Sequence, residues 1–177
     1  MGRQKLLLAL RGTPIVRLSV EAIAPHVEDL VVVTGQDDLA VRTALDGLGV
    51  RFVTNPRPHE GQGSSIAVGV SALKPWTRAV LITLGDQPRL PPAVVPALLE
   101  AGRRTGKAIV APLYQAIQGT PVLFGAEVFA ELRGLRGDAG ARSVVGARPE
   151  RVELVRFDVP MPADVDTPED YARLHVQ

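Results

Sequence analysis

The sequence of 177 residues contains no cysteine, which excludes disulfide bonds, thiolate zinc sites and cysteine nucleophiles together. Aromatic residues are scarce at 4% of the chain, so the hydrophobic core must be built from aliphatic side chains. No apolar run reaches the roughly 18 residues that a membrane-spanning helix needs. The N-terminus also lacks the apolar stretch of a signal peptide, so we expect a cytoplasmic protein with no membrane partner.

An excess of positive charge is also missing, because 20 basic and 19 acidic residues give a formal charge of +1. Without a basic surface field, general nucleic-acid binding is not expected. The basic residues are almost all arginine, and the three lysines are Lys5, Lys74 and Lys107. Since lysine and arginine do different chemistry, an isolated lysine in such a chain is a candidate functional residue.

Apolar runs alternate with segments of helical periodicity along the chain. Strands are predicted at 29–34, 51–54, 78–84, 108–111, 121–124 and 151–157. Helices are predicted at 14–24, 37–48, 64–73, 91–105, 126–132 and 138–147, with a last one after the cap residue Thr167. Continuously apolar strands are typical of a parallel sheet covered on both faces. We therefore predict one domain over residues 1–177, a three-layer α/β/α sandwich with a Rossmann-like, mostly parallel sheet.

The segment Gly85-Asp86-Gln87-Pro88 follows the clearest predicted strand. In open α/β sheets, ligands bind beyond the carboxyl ends of the strands, so Asp86 is placed at the mouth of a site. A carboxylate there suits Mg²⁺ when substrate phosphates complete the coordination shell. The alternative is an aspartate that only forms a turn at the end of the strand.

A glycine-rich loop, which contains Gly61, Gly63, Ser64 and Ser65, joins a predicted strand to a predicted helix. Glycines expose backbone N–H groups, and Ser64 is predicted to cap a helix whose N-terminus can face an anion. The loop nearly matches the dinucleotide pattern GxGxxG. Its third glycine position is Ile66, which argues against a dehydrogenase.

Two further segments carry candidate residues. Asp164 and Asp166 precede the last predicted helix, and helix capping does not explain them. Asp138 is predicted to be a helix N-cap, and Arg142 in the following turn is placed to reach a phosphate.

Taken together, these segments resemble the molybdenum cofactor cytidylyltransferases, which are related to the molybdenum cofactor guanylyltransferases. The resemblance extends from residue 1 to about residue 171 and rests on the order of its pieces: MGRQKLLLALRGTPIV, NPRPHEGQGSSIAVGV, LITLGDQPRLPP, IVAP, QGTPVLF, LRGLRGDAGAR and DVDTPEDY. It implies a fold of the nucleotide-diphospho-sugar transferase type.

The resemblance also implies roles for individual residues. Lys5 corresponds to a lysine that holds the nucleotide's phosphates, and Asp86 to a Mg²⁺ ligand, with Asp166 or, alternatively, Asp164 as the second carboxylate of the metal site. The nucleotide-binding residues would be Gly61, Gly63, Ser64, Ser65 and Gln87. The acceptor-binding residues would be Gly119, Pro121, Asp138 and Arg142, although Thr120 stands where relatives often carry histidine.

The chain departs from the family at its start. Members open with a strand and a loop of the form LAAGxSxRMG, and this sequence begins at the last Met-Gly of that motif. One interpretation, which we favour, is that the strand and phosphate loop are missing from a truncated chain. The other is that residues 5–10 fill part of the gap in a fold of weak activity.

The implied reaction is transfer of CMP from CTP to a phosphorylated acceptor, molybdopterin, with Mg²⁺ as cofactor and release of pyrophosphate. A molybdoenzyme or its chaperone is the implied protein partner. Two alternatives stay open. One is guanylyl or other nucleotidyl transfer to a different phosphorylated acceptor, and the other is a non-catalytic binding protein.

Overall fold

The computed structural model describes residues 2–36 and 38–176, so the predicted helix start at Asp37 lies outside the described residues. The strands are β1 (Ala9–Leu10), β2 (Thr13–Pro14), β3 (Val31–Thr34), β4 (Arg51–Thr54), β5 (Ala79–Ile82), β6 (Ile109–Tyr114), β7 (Ile117–Gln118), β8 (Val122–Gly125) and β9 (Val152–Phe157). The helices are α1 (Ile15–Glu21), α2 (Leu39–Ala44), α3 (Gln62–Ser71), α4 (Val94–Thr105), α5 (Phe129–Arg133), α6 (Arg142–Ala147) and α7 (Pro168–Val176). Over this described part of the chain, every helix falls short of the length and apolarity that a membrane crossing requires.

The larger sheet contains five strands. Strand β8 lies between β5 and β6 and runs antiparallel to both, while β9 pairs with β6 in parallel and β7 pairs with β6 antiparallel. Strands β3 and β4 form a separate parallel pair. Helices cover both faces, so the predicted α/β class and Rossmann-like, layered fold are confirmed.

The direction of pairing is mixed, whereas the apolar runs predicted a mostly parallel sheet. Val122, Leu123 and Phe124 of β8 are all buried. Phe124 packs on the side of α5 and α6, and Leu123 packs on the side of α4. A continuous apolar run therefore reports burial on both faces, and it carries no information on the direction of the strand.

Two apolar clusters form the core on either side of this sheet. One joins β6 and β8 to α3, α5 and α6, and its buried members include Ile109, Phe124 and Leu132. The other joins the opposite face to α4 through Val94, Leu98 and neighbouring side chains. With few aromatic residues available, aliphatic side chains fill most of this volume, as the composition predicts.

Residues Gly2–Leu7 form a 3₁₀ helix, and the strand that follows pairs only within the small β1–β2 hairpin. The predicted apolar run at 5–10 therefore adds no strand to either larger sheet. Its turn is closed locally, since the Leu8 N–H donates to the Lys5 carbonyl at 3.3 Å. The leucines of this segment pack against neighbouring helices instead.

Two predicted helix caps are wrong. Helix α3 begins at Gln62 with Gly61 as its N-cap, so Ser64 lies inside the helix, where its hydroxyl donates to the Gly61 carbonyl at 2.8 Å. Asp138 lies in the 3₁₀ turn Gly137–Ala139, and α6 begins only at Arg142. Among the described residues, neither α3 nor α6 has a side-chain hydrogen bond at its N-cap. A glycine with positive φ lies at or just before the start of each helix, Gly61 for α3 and Gly140 for α6.

Replacing Leu98 with alanine should lower the free energy of unfolding by about 3 kcal/mol, because Leu98 is completely buried between α4 and the sheet. Leu39→Ala is the matched control, since Leu39 is 77% exposed, and it should cost less than about 0.5 kcal/mol. Urea unfolding followed by circular dichroism measures both. Equal costs for the two variants would contradict the packing described for α4.

Candidate active site

A lysine bridges two aspartates beyond the end of β5. The ammonium of Lys5 donates to Asp86 Oδ2 and to Asp166 Oδ1, at 2.7 Å in each case. The Lys5 and Asp86 side chains are 22% and 16% exposed, whereas Asp166 is 66% exposed. The bridge is therefore partly buried at Lys5 and Asp86 and open to solvent at Asp166.

Three segments distant in sequence bring these groups together. Asp86 follows β5 in the turn after Gly85, against which Leu6 of the N-terminal 3₁₀ helix packs. The Val165 N–H donates to the Asp86 carbonyl at 3.2 Å. This bond holds Asp164 and Asp166, which flank Val165, beside the turn that contains Asp86. The cluster of Lys5, Asp86 and Asp166 thus lies beyond the carboxyl end of β5, where ligands bind in open α/β sheets.

The electrostatics favour a charged Lys5. Burial opposes the charge, but the hydrogen bonds to Asp166 and Asp86 outweigh it, and the pKa of Lys5 is raised above its ordinary value. An ammonium carries three protons, and these two bonds use two of them. Within residues 2–36 and 38–176, the third N–H of Lys5 has no partner and is available to an anion.

Asp164 is a third carboxylate of this region. Burial raises the pKa of Asp164, and the negative charges of Asp86 and Asp166 raise it further. The hydrogen bond from Gln87 acts in the opposite direction but does not cancel these effects. Gln87 Nε2 donates to Asp164 Oδ1 at 2.7 Å. The predicted carboxylates Asp86, Asp164 and Asp166 are therefore close neighbours, with Lys5 among them.

The stretch 119–121 reaches the same region through Gln87. The Thr120 hydroxyl donates to Gln87 Oε1 at 2.6 Å, and the Thr120–Pro121 peptide bond is cis. A Cβ atom at Gly119 would lie 2.9 Å from the Tyr114 ring, so only glycine fits there. Of the predicted acceptor residues, Gly119 and Pro121 are thus joined to the aspartate cluster.

The glycine-rich loop is held by a buried asparagine. Asn55 Nδ2 donates to the hydroxyls of Ser64 and Ser65, at 2.8 and 3.0 Å, and its Oδ1 accepts from the Arg57 N–H. The single proton of the Ser64 hydroxyl is shared between the Gly61 and Arg57 carbonyls, at 2.8 and 3.1 Å. These bonds fix the shape of the loop and occupy the proton of Ser64, whereas the Ser65 hydroxyl only accepts from Asn55 among the described residues.

Gly61 and Gly63 permit a close approach between two loops. A Cβ atom at Gly63 would lie 2.8 Å from the Gly137 carbonyl oxygen, and one at Gly61 would collide with Gly137 and the Asp138 carboxylate. The structure therefore brings Gly61, Gly63 and Asp138 together. In residues 2–36 and 38–176, no hydrogen bond or ion pair joins this loop pair to Lys5.

Arg142 is exposed at the start of α6, and in the part of the chain that is described it makes no hydrogen bond or ion pair. Two residues that organise the site were missed by sequence reasoning, namely Asn55 as the support of the glycine loop and Tyr114 as the support of Thr120. Asn55 ends a strand directly before a proline, which is a weak local signal. Tyr114 carries no local signal at all.

The donor set suits a divalent cation in its chemistry. Carboxylate oxygens of Asp86, Asp164 and Asp166 are hard ligands of the kind that Mg²⁺ or Mn²⁺ takes. Among the described residues, no group of three or more acidic, histidine or cysteine side chains is arranged ready to hold a metal. The Lys5 ammonium already bridges Asp86 and Asp166, so these two carboxylates stabilise a positive charge placed between them.

Comparison with known proteins gives consistent matches. Residues 1–152 match the MobA-like NTP transferase domain. The solved structure of Rv0371c from Mycobacterium tuberculosis H37Rv in complex with manganese is 31% identical, covering 99% of this chain and 94% of that chain, with a TM-score of 0.84.

Two curated relatives are also similar. The purine catabolism protein PucB of Bacillus subtilis (strain 168) is 28% identical over 97% of this chain and 87% of its own length. The 2-C-methyl-D-erythritol 4-phosphate cytidylyltransferase of Streptomyces avermitilis is 31% identical over 94% of this chain and 64% of its own length. The structural similarity to Rv0371c agrees with the predicted Rossmann-like α/β fold.

Proposed function

Because the chain belongs to the MobA-like NTP transferase family, we propose that it transfers CMP from CTP to a phosphorylated small-molecule acceptor and releases pyrophosphate. The observation that carries this proposal is the bridge from Lys5 to Asp86 and Asp166 at the carboxyl end of β5. This bridge brings together an ammonium group that can bind phosphates and two carboxylates that can bind a metal ion. The similarity to a cytidylyltransferase supports CTP as the nucleotide.

Lys5 binds the triphosphate in this proposal. Its remaining N–H donates to a phosphate oxygen, while Asp86 and Asp166 hold the ammonium in place and keep it charged. Little covalent chemistry is required of the protein, since positioning and charge neutralisation dominate phosphoryl transfer. A flexible lysine would lose more conformational entropy on binding than one already held at two points.

Asp86 and Asp166, with Asp164 as a further ligand, would hold Mg²⁺ as the cofactor. The manganese reported for the similar Rv0371c structure supports a divalent cation at such a site. A bound divalent cation would neutralise charge on the α-phosphate and on the leaving pyrophosphate. Asp86 and Asp166 would then serve both the metal and the Lys5 ammonium, which they hold beside the phosphates.

The predicted glycine-loop and acceptor residues keep their proposed roles. Gly61, Gly63, Ser64 and Ser65 belong to the nucleotide side, whereas Gln87, which the resemblance also placed there, connects the aspartate cluster to Thr120. The acceptor side comprises Gly119, Pro121, Asp138 and Arg142. In the transfer, an oxygen of the acceptor's phosphate bonds to the α-phosphorus of CTP. The bond from that phosphorus to the bridging oxygen breaks, and pyrophosphate leaves with the electron pair.

Molybdopterin is the acceptor that the sequence resemblance implies, and a molybdoenzyme or its chaperone is the partner that would receive the product. The link from Gln87 to Thr120 supports an acceptor site at residues 119–121, since it joins that stretch to the aspartate cluster.

The test is pyrophosphate release from CTP, GTP, ATP and UTP, each with molybdopterin and with Mg²⁺ or Mn²⁺. We expect release with CTP at least about tenfold faster than with the other nucleotides, and its loss in EDTA. A preference for GTP would reassign the nucleotide and keep the reaction class. Binding of nucleotides without pyrophosphate release under any condition would identify the chain as a binding protein.

A further inference from the structure

Gln87 is almost completely buried, and both ends of its side-chain amide are bonded. Nε2 donates to Asp164 Oδ1 at 2.7 Å and lies 3.5 Å from the Pro162 carbonyl oxygen. Oε1 accepts from the Thr120 hydroxyl at 2.6 Å. With 3% of its surface exposed, Gln87 has little freedom to turn. It therefore connects three segments rather than facing a ligand.

The orientation of this amide is determined by its surroundings. A backbone carbonyl such as that of Pro162 can only accept, so the end of Gln87 that faces it must be the NH₂ group. The amide oxygen then faces Thr120, and the Thr120 hydroxyl has to donate its only proton to it. The Thr120 hydroxyl therefore has no further proton to donate, and its oxygen can only accept further hydrogen bonds.

Thr120 is also fixed through its backbone. The Tyr114 hydroxyl donates to the Thr120 carbonyl at 2.8 Å, and Tyr114 itself is buried. Its ring packs against Gly119, which precedes Thr120. Within residues 2–36 and 38–176, no donor occupies the remaining lone pairs of Thr120 Oγ1, and the residue is only half-buried. These lone pairs are therefore available to a ligand.

We propose that Thr120 is a specificity-determining residue whose hydroxyl oxygen accepts a hydrogen bond from an O–H or N–H group of the acceptor, with Gln87 as the positioning residue. This inference rests on the proposed nucleotidyl transfer and on the acceptor site at residues 119–121. It defines the acceptor class as a phosphate monoester whose body carries a hydrogen-bond donor. Phosphate or carboxylate oxygens, which have only lone pairs, are disfavoured at Thr120.

The first test changes Thr120. Thr120→Val keeps the shape and removes the acceptor atom, so the KM for molybdopterin should rise about tenfold while the KM for CTP changes less than about twofold. Thr120→Ser should restore the KM for molybdopterin. Thr105→Val is the control, because Thr105 bonds only within and just beyond α4. An unchanged KM for molybdopterin in Thr120→Val would overturn the proposal.

The second test changes the acceptor. Glycerol 3-phosphate carries hydroxyl donors, whereas propyl phosphate has the same carbon chain and none. Wild-type protein should bind the former about tenfold more tightly, and Thr120→Val should bind both within about twofold of each other. Titration calorimetry in EDTA on protein loaded with CTP measures this ratio without turnover. Equal binding of the two esters by the wild type contradicts the assignment.

The third test addresses Gln87. Gln87→Met leaves the Thr120 hydroxyl free to rotate, so the preference between the two esters should fall below about threefold. Gln87→Glu still presents an oxygen to Thr120, and in its protonated form it still donates to Asp164, so it should keep the preference, which a general structural defect would not do. If either variant fails to fold, the Thr120 variants decide the proposal. If no nucleotide yields pyrophosphate, the proposed function fails. The relative affinity for glycerol 3-phosphate and propyl phosphate then still decides whether Thr120 accepts a hydrogen bond from the ligand.

Discussion

Asp86→Asn should lose about a thousandfold in kcat for pyrophosphate release, because the change removes the charge that would hold a divalent cation and that anchors Lys5. Asparagine keeps the size of the side chain and one carbonyl oxygen. Lys5 retains Asp166, so the free energy of unfolding should fall by only about 1–2 kcal/mol. The loss of activity is therefore not a loss of fold.

Asp46→Asn provides the matched control, since Asp46 is exposed after α2 and its carboxylate makes no hydrogen bond or ion pair in the described part of the chain. Its turnover should equal that of the wild type. Circular dichroism and urea unfolding verify that both variants are folded at the assay temperature. Wild-type turnover in Asp86→Asn, at saturating CTP and metal, would reject the metal-binding role.

Gly61→Ala should lower the free energy of unfolding by about 4 kcal/mol. Gly61 has φ +89° and ψ 177°, a conformation that is essentially restricted to glycine and costs about 1–3 kcal/mol for other residues. The added methyl group would also approach the Gly137 carbonyl carbon to 2.5 Å, so two backbones would have to separate. Such overpacking typically costs a further 1–3 kcal/mol or so.

Gly106→Ala separates the two contributions. Gly106 ends α4 with φ +62°, and a methyl group there meets nothing within 4 Å, so only backbone strain of about 1 kcal/mol is expected. Urea unfolding of both variants gives the difference directly. A Gly61→Ala cost no larger than that of Gly106→Ala would show that the loop pair at Gly61 and Gly137 does not pack as described.

The layout of strands and helices could be predicted because apolar periodicity is local information. Strand β4 occupies the predicted residues 51–54, and α4 lies within the predicted 91–105. The antiparallel direction of β8 could not be predicted, because burial on two faces has the same pattern in both directions. Short elements such as the β1–β2 hairpin and β7 contain too few residues to show a period.

The sequence can suggest site residues where family motifs mark individual positions. Lys5, Asp86 and Asp166, which the resemblance placed in one site, lie within hydrogen-bond distance of one another through the Lys5 ammonium. The part played by Gln87 could not be read from the sequence, because its partners lie 33 and 77 residues further along the chain. A buried amide is recognised only when both of its neighbours are known.

The bridge at Lys5 also has a consequence for biosynthesis on the ribosome. Lys5 is separated from Asp86 by 81 residues and from Asp166 by 161 residues. At an elongation rate of about 5–20 residues per second, Asp166 is added about 8 to 30 s after Lys5. A nascent chain can therefore complete most of its sheet while this cluster still lacks a carboxylate. Premature termination before that residue would release a chain that lacks Asp166, one of the two carboxylates that hold the Lys5 ammonium.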